Sequence, residues 1–217
     1  MLEKICKTVV GTGALLLVSA ASQAAYQNIS VNGDFETGDF SGWTTFPGSL
    51  GSAGQTIVAG NPGYAANLNE PNPAANIIKQ ANLLPGEWTA GQAVDIQFDL
   101  KGSAAAGGVF FVEFFNEISG GGVSAGSGIL AVIANPSADW TTYNYSTTAG
   151  FDTSGGITLQ FNSTCGADAN CVADFSIDNV SIYADVDVAA VPVPAAAWLF
   201  GSALLGLAGA NKRKKSV

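Results

Sequence analysis

The sequence predicts an all-β domain, a sandwich or barrel of short strands, from three observations. No window in the middle of the chain keeps the 3.6-residue apolar period of a helix. Several runs alternate apolar and polar residues with the period of two that a half-buried strand requires. Turn-forming pairs separate those runs at short intervals: Pro47-Gly48, Asn61-Pro62, Pro85-Gly86, Gly107-Gly108, Asn135-Pro136 and Gly155-Gly156.

Residues 94–101 alternate cleanly. Val94, Ile96, Phe98 and Leu100 share one face, and Asp95, Gln97, Asp99 and Lys101 the other. Residues 109–115 are almost wholly apolar, which reads as a central strand covered on both faces. The glycine- and serine-rich residues 119–128 form a flexible surface loop, and 129–134 repeat the apolar run in shorter form. Residues 140–148 put Tyr143 and Tyr145 on one face and Thr142, Asn144 and Ser146 on the other. Alternation returns in 157–162. In 174–183 the apolar residues are Phe175 and Ile177, then Val180 and Ile182, so the phase flips between Asp178 and Asn179. A β-bulge there inserts one extra residue, returns both halves to one face and re-aims Asp178.

The two ends read as addresses. Lys4 and Lys7, the apolar run 9–21 and the small residues Ser22-Gln23-Ala24 make 1–24 a secretory signal peptide, cut after Ala24 or Ala25. At the other end, Val191-Pro192-Val193-Pro194-Ala195 opens stiff and extended, because each proline fixes its own φ and disfavours helix before it. Residues 195–210 are uncharged and suit a hydrophobic helix, a few residues short of the ~20 that span a bilayer. Lys212, Arg213, Lys214 and Lys215 follow, a cluster that holds the cytoplasmic side of a membrane. Domain organisation is therefore 1–24 leader, 25–187 working domain and 188–217 tail.

Charge divides along the same lines. Lys79 and Lys101 are the only cations between the two ends, against 16 of the chain's 17 carboxylates. A surface this acidic repels phosphate backbones, which excludes nucleic acid as a partner. The chain has no histidine, so the commonest general base and transition-metal ligand are missing. Glu113 and Glu117 do not form the carboxylate pattern of a jelly-roll glycosidase, and alternation alone accounts for Asp95 and Asp99, so no enzyme is expected. Cys6 leaves with the leader. Cys165 and Cys171 remain, an even pair in an exported chain, and a disulfide is the default; a thiolate metal pair lacks two further ligands.

Two family resemblances add to this reading. The Val191–Ala195 signature, apolar run and basic tip resemble the PEP-CTERM class of bacterial sorting signals in its VPLPA variant, with Val193 where Leu is commoner. That resemblance implies an exosortase-type membrane transpeptidase as partner, and an ordinary tail anchor is the alternative. The middle carries NGDFETGDFSGW at 32–43, IIKQANLLPGEWTAGQAVDIQFDLKG at 77–102 and DFSIDNVSIY at 174–183. These resemble the jelly-roll β-sandwich of CenC-like carbohydrate-binding modules and galactose-binding-like folds. The resemblance implies a structural calcium ion (Ca2+) held by Glu36 and Asp178, joined by Asp34 if that segment is extended.

The expected function is an exported, non-enzymatic protein of the cell envelope or extracellular matrix, with an extracellular polysaccharide as partner. A carbohydrate-binding module with a specific glycan is the alternative, and a glycoside hydrolase a remoter one. Trp88 and Trp140, at strand edges or loop ends, are the candidate sugar-stacking residues.

Overall fold

The computed structural model describes residues 25–186. The leader at 1–24, the sorting motif at 191–195, the hydrophobic helix and the basic tip at 212–215 lie outside the described residues. Among those described, no helix is long and apolar enough to cross a membrane.

Eleven strands form two antiparallel sheets. They are β1 (Ala25–Asn28), β2 (Thr44–Phe46), β3 (Gln55–Ala59), β4 (Tyr64–Glu70), β5 (Ala75–Leu83), β6 (Ala93–Ala105), β7 (Val109–Glu117), β8 (Gly128–Ile133), β9 (Thr141–Thr148), β10 (Gly156–Thr164) and β11 (Val172–Val186). One sheet runs β3-β4-β11-β6-β9, with β1 beside the far half of β11. The other runs β2-β5-β10-β7-β8. A single 3-10 turn (Gly51–Gly54) precedes β3, and from β4 onward the chain changes sheet at almost every connection, the winding of a jelly-roll sandwich.

The core lies between the sheets because the alternating residues of each strand meet there. Val94, Ile96, Phe98 and Leu100 of β6 are buried, as are Phe110, Val112 and Phe114 of β7 and Ile157, Leu159 and Phe161 of β10. Phe98, Phe110, Phe161 and Phe175 pack ring against ring, with centroids 5.0–6.5 Å apart. Each fully buried side chain of this kind contributes about 2 kcal/mol through the area it removes from water. Tyr143 and Tyr145 reach in from edge strand β9 and stack on Phe98.

The bulge is present. Pairing of β11 with β6 skips between Asp178 and Ser181, Asn179 takes a left-handed φ of 51°, and Phe175, Ile177, Val180 and Ile182 are all buried. Cys165 and Cys171 form a disulfide in the connection between β10 and β11.

Two expectations need correction. Residues 109–115 are covered on one face only. β7 lies between β10 and β8, but among the described residues no strand or helix covers its outer face, and Phe111 and Phe115 there are only half-buried. Residues 129–134 belong to an edge strand, not a central one, with Ile129 and Val132 each 57% exposed.

Candidate functional site

Three places collect the residues that chemistry could use: a turn flanked by carboxylates, and the outer faces of the two sheets.

The turn is Gly60–Tyr64. Asp178 stands beside Asp99 on the outer face of its sheet, under this turn, and both of its oxygens are occupied by backbone donors: the Asn61 N–H donates to Oδ2 at 2.6 Å and the Asn179 N–H to Oδ1 at 2.7 Å. Asp178 is fully buried. Burial pushes its carboxyl up, the two N–H groups oppose that, and the neighbouring charges of Asp99 and Glu36 add to it. Glu36 approaches the same turn from the exposed side. Its Oε1 accepts the Tyr64 N–H at 2.8 Å, and Gly63, at φ +74°, leaves no room for a Cβ beside the Glu36 carboxylate. Gly60 makes room for Asp178 in the same way. Glu36 and Asp178 therefore flank one five-residue turn.

Asp34 does not join them. Residues 32–38 are successive turns, not an extended segment, with Asn32 and Phe35 at positive φ. Asp34 Oδ1 accepts the Glu36 N–H at 3.3 Å, and Asp34 lines a separate hollow with Gln97 and Asn179. Asp99 is the acid that the sequence hides, because alternation alone accounts for it. Its Oδ2 accepts from Asn61 Nδ2 at 3.2 Å and Asn179 Nδ2 at 2.9 Å, and its Oδ1 from Thr142 Oγ1. Among the described residues no group of three or more His, Cys, Asp or Glu side chains gathers tightly enough to hold a metal. What the turn offers a hard cation is two carboxylates, one of them buried and met by amides rather than by lysine or arginine. The remaining ligands of a calcium ion, six to eight oxygens in all, would have to be carbonyls or water.

Neither candidate tryptophan is a free platform. Trp88 is 9% exposed, sits in the core and donates from Nε1 to the Leu83 carbonyl at 3.0 Å. Trp140 is half-buried, and Lys101 Nζ lies 4.6 Å from its ring centroid.

The outer face of the β2-β5-β10-β7-β8 sheet is organised differently. Cross-strand register aligns Phe46, Ile77, Asn162, Phe111 and Val132 in one row across all five strands. The adjacent row is Thr44, Lys79, Gln160, Glu113 and Ile129. Strand spacing makes each row about 19 Å long. Phe46 is 45% exposed and Val132 57%. In the polar row Gln160 Nε2 donates to Glu113 Oε2 at 2.6 Å, and Lys79 Nζ stands 5.1 Å from the Phe46 ring centroid. A mainly apolar row, with Asn162 at its centre, thus runs beside a mainly polar one that ends in Ile129. The sequence signal was there, in the excess of apolar residues on β7, but it does not distinguish a second buried face from an exposed one.

No family model matches the chain, and no curated protein matches it. Among solved structures, the enzymatically active domain of bacteriophage CBA120 tailspike protein 4 aligns with a TM-score of 0.50 at 18% identity, over 71% of this chain and 21% of that one. The matched part is thus about a fifth of the tailspike chain. The carbohydrate-binding module TmCBM61, solved with β-1,4-galactotriose, aligns with a TM-score of 0.49 at 18% identity, over 73% of this chain and 99% of that one. A family 16 carbohydrate-binding module gives 0.49 at 16% identity, over 71% and 99%. At these identities a likeness bears on the fold alone, and the two sheets and their winding make residues 25–186 an all-β jelly-roll sandwich.

Proposed function

We propose that this protein is a non-catalytic carbohydrate-binding protein whose glycan lies across the outer face of the β2-β5-β10-β7-β8 sheet. The paired rows carry the reading. A sugar ring has an apolar face of C–H groups and a rim of hydroxyls, so it wants a flat apolar surface beside groups that donate and accept hydrogen bonds. Phe111, Ile77, Val132 and Phe46 supply the first, and Gln160, Glu113, Asn162 and Lys79 the second. The face is open, which suits the side of a polymer. The two rows contain Glu113 as their only carboxylate, where glycoside hydrolysis requires two.

The test is a glycan array on the purified protein followed by calorimetry. Phe111→Ala weakens binding about 10-fold, which corresponds to ~1.4 kcal/mol. Val132→Glu, on an exposed edge, weakens it without disturbing the core. A folded protein that binds no glycan, or binds one equally well with both changes, overturns the reading.

Two further parts of the proposal concern context. Calcium at Glu36 and Asp178, supported by the way both acids flank the Gly60–Tyr64 turn, clamps the bulge to that turn. Export by the 1–24 leader, and sorting by an exosortase-type transpeptidase acting near Val191–Ala195, deliver the domain to the cell envelope or extracellular matrix. The disulfide supports an extracellular address.

A further inference from the structure

The other sheet also has an outer face, and it is not a plain solvated surface. Tyr26 of β1 and Tyr183 of β11 stack there with centroids 5.6 Å apart and planes 16° from parallel. Tyr26 is 55% exposed, so its outward ring face is open. The Tyr26 hydroxyl donates to Asp95 Oδ2, and Ser146 Oγ donates to Asp95 Oδ1. Next along β6 and β9, Gln97 Nε2 donates to Asn144 Oδ1 at 2.9 Å. That bond leaves Gln97 Oε1 and Asn144 Nδ2 without a partner among the described residues. These six side chains border a hollow of about 290 Å³, near the lower end of the range for small-molecule sites.

We infer that this hollow is a second glycan site, for a neutral, hydroxyl-rich sugar unit, so that one molecule holds two polysaccharide chains, one on each face of the sandwich. The inference rests on the reading that the domain binds carbohydrate at all. Each part of the site has a role in it. Tyr26 is a platform for the ring, held flat by Tyr183 behind it and by Asp95 at its hydroxyl. That support is in place before any ligand arrives, so little freedom is lost on binding. Asp95 accepts from sugar hydroxyls, Gln97 Oε1 accepts and Asn144 Nδ2 donates. Charge selects the class of sugar. Asp95 lines the hollow and, among the described residues, no lysine or arginine does, so uronate, sulfate and phosphate are repelled and neutral pyranose units are accepted.

The second site lies on the face opposite the two rows, with two sheets packed about 10 Å apart between them. A single extended chain cannot lie flat on both. Occupying both sites therefore cross-links two polymers.

The test uses the purified protein and neutral hexasaccharides of β-glucan, β-galactan, β-xylan and β-mannan, with stoichiometry read by native mass spectrometry and calorimetry. The expected result is two hexasaccharides per chain. Tyr26→Ala, or Gln97→Glu on the exposed strand surface, leaves one, and Phe111→Ala leaves the other. The matching polymers turn turbid with the unaltered protein and stay clear with any of the three variants. One hexasaccharide per chain, insensitive to Tyr26→Ala and Gln97→Glu but lost with Phe111→Ala, overturns the second site and leaves the first. One that is lost with Tyr26→Ala and kept with Phe111→Ala removes the row site, and with it the cross-linking, and leaves this hollow as the binding site. No binding across the panel, with the protein folded, overturns both.

Discussion

The bond between Tyr26 and Asp95 shifts both of its members. Asp95 pushes the Tyr26 phenol up to about 12 from its ordinary 10.0, through the hydrogen bond first and then through burial and charge. Ser146 and then Tyr26 hold the Asp95 carboxyl below its ordinary 3.8. The signs follow from linkage. The folded chain holds the Tyr26 proton more tightly than the unfolded chain, so that contribution to stability is complete below pH 10 and lost as pH rises toward 12. The Asp95 contribution is complete above pH 4 and lost as pH falls below it. Ultraviolet titration should show one tyrosine ionising near 12 that moves back toward 10 in Asp95→Ala. A full set of tyrosines ionising near 10 in the unaltered protein means that the bond does not exist in solution. Residues of this kind are hard to read from sequence. Asp95 looks like any outward residue of an alternating strand, and Tyr26 is distant from it in the chain. Trp88 and Trp140 show the converse. Residue type suggested sugar platforms, but Trp88 finds a carbonyl inside the core and Trp140 is taken by Lys101.

Among the elements, β6, β9, β10 and β11 were legible because each keeps one apolar face against one polar face. The bulge was legible for the same reason, since an interrupted alternation needs a physical cause. β5 was not. Its inward residues include Asn76 and Gln80, both buried, and its outward ones include Ile77. Asn76 Oδ1 accepts the Gly48 N–H and its Nδ2 donates to the Asn69 carbonyl, while Gln80 bonds both backbone groups of Val31. Buried amides that satisfy loops scramble the pattern by which a strand is recognised. The link between the β11 bulge and the Gly60–Tyr64 turn leads to the calcium prediction. At a hundredfold excess over its dissociation constant, an ion bound only to the folded state adds about 2.7 kcal/mol. For a domain of this size that raises the melting temperature by about 5–10 °C. Glu36→Gln and Asp178→Asn should each abolish the rise. Melting that is the same with calcium added and with a chelator would falsify the clamp.

At the scale of the whole molecule, chain entry and exit are neighbours. Ala25 of β1 pairs with Val186 of β11, so the first and last described residues lie side by side. Both addresses read from the sequence therefore attach at one end of the sandwich. A C-terminal tag on the full chain tests the sorting proposal, because it should be missing from the mature, surface-located protein while an internal epitope remains. A tag that persists there identifies a permanent anchor instead. The proposed division into leader, domain and tail rests on the sharp shift of composition at both junctions. The two rows on the outer sheet face were not legible, because they arise from register across five strands.

The place of β11 has one more consequence. It bonds to β6 on one edge and to β4 and β1 on the other, and it is made last. Ten strands are thus synthesised before the one that joins three of them. Until residue 186 has emerged, the sheet it centres has no middle, and the long-range pairing that follows is of the slow kind. A chain that stops before Val172 keeps the five strands of the other sheet but lacks the strand on which β1, β4 and β6 converge.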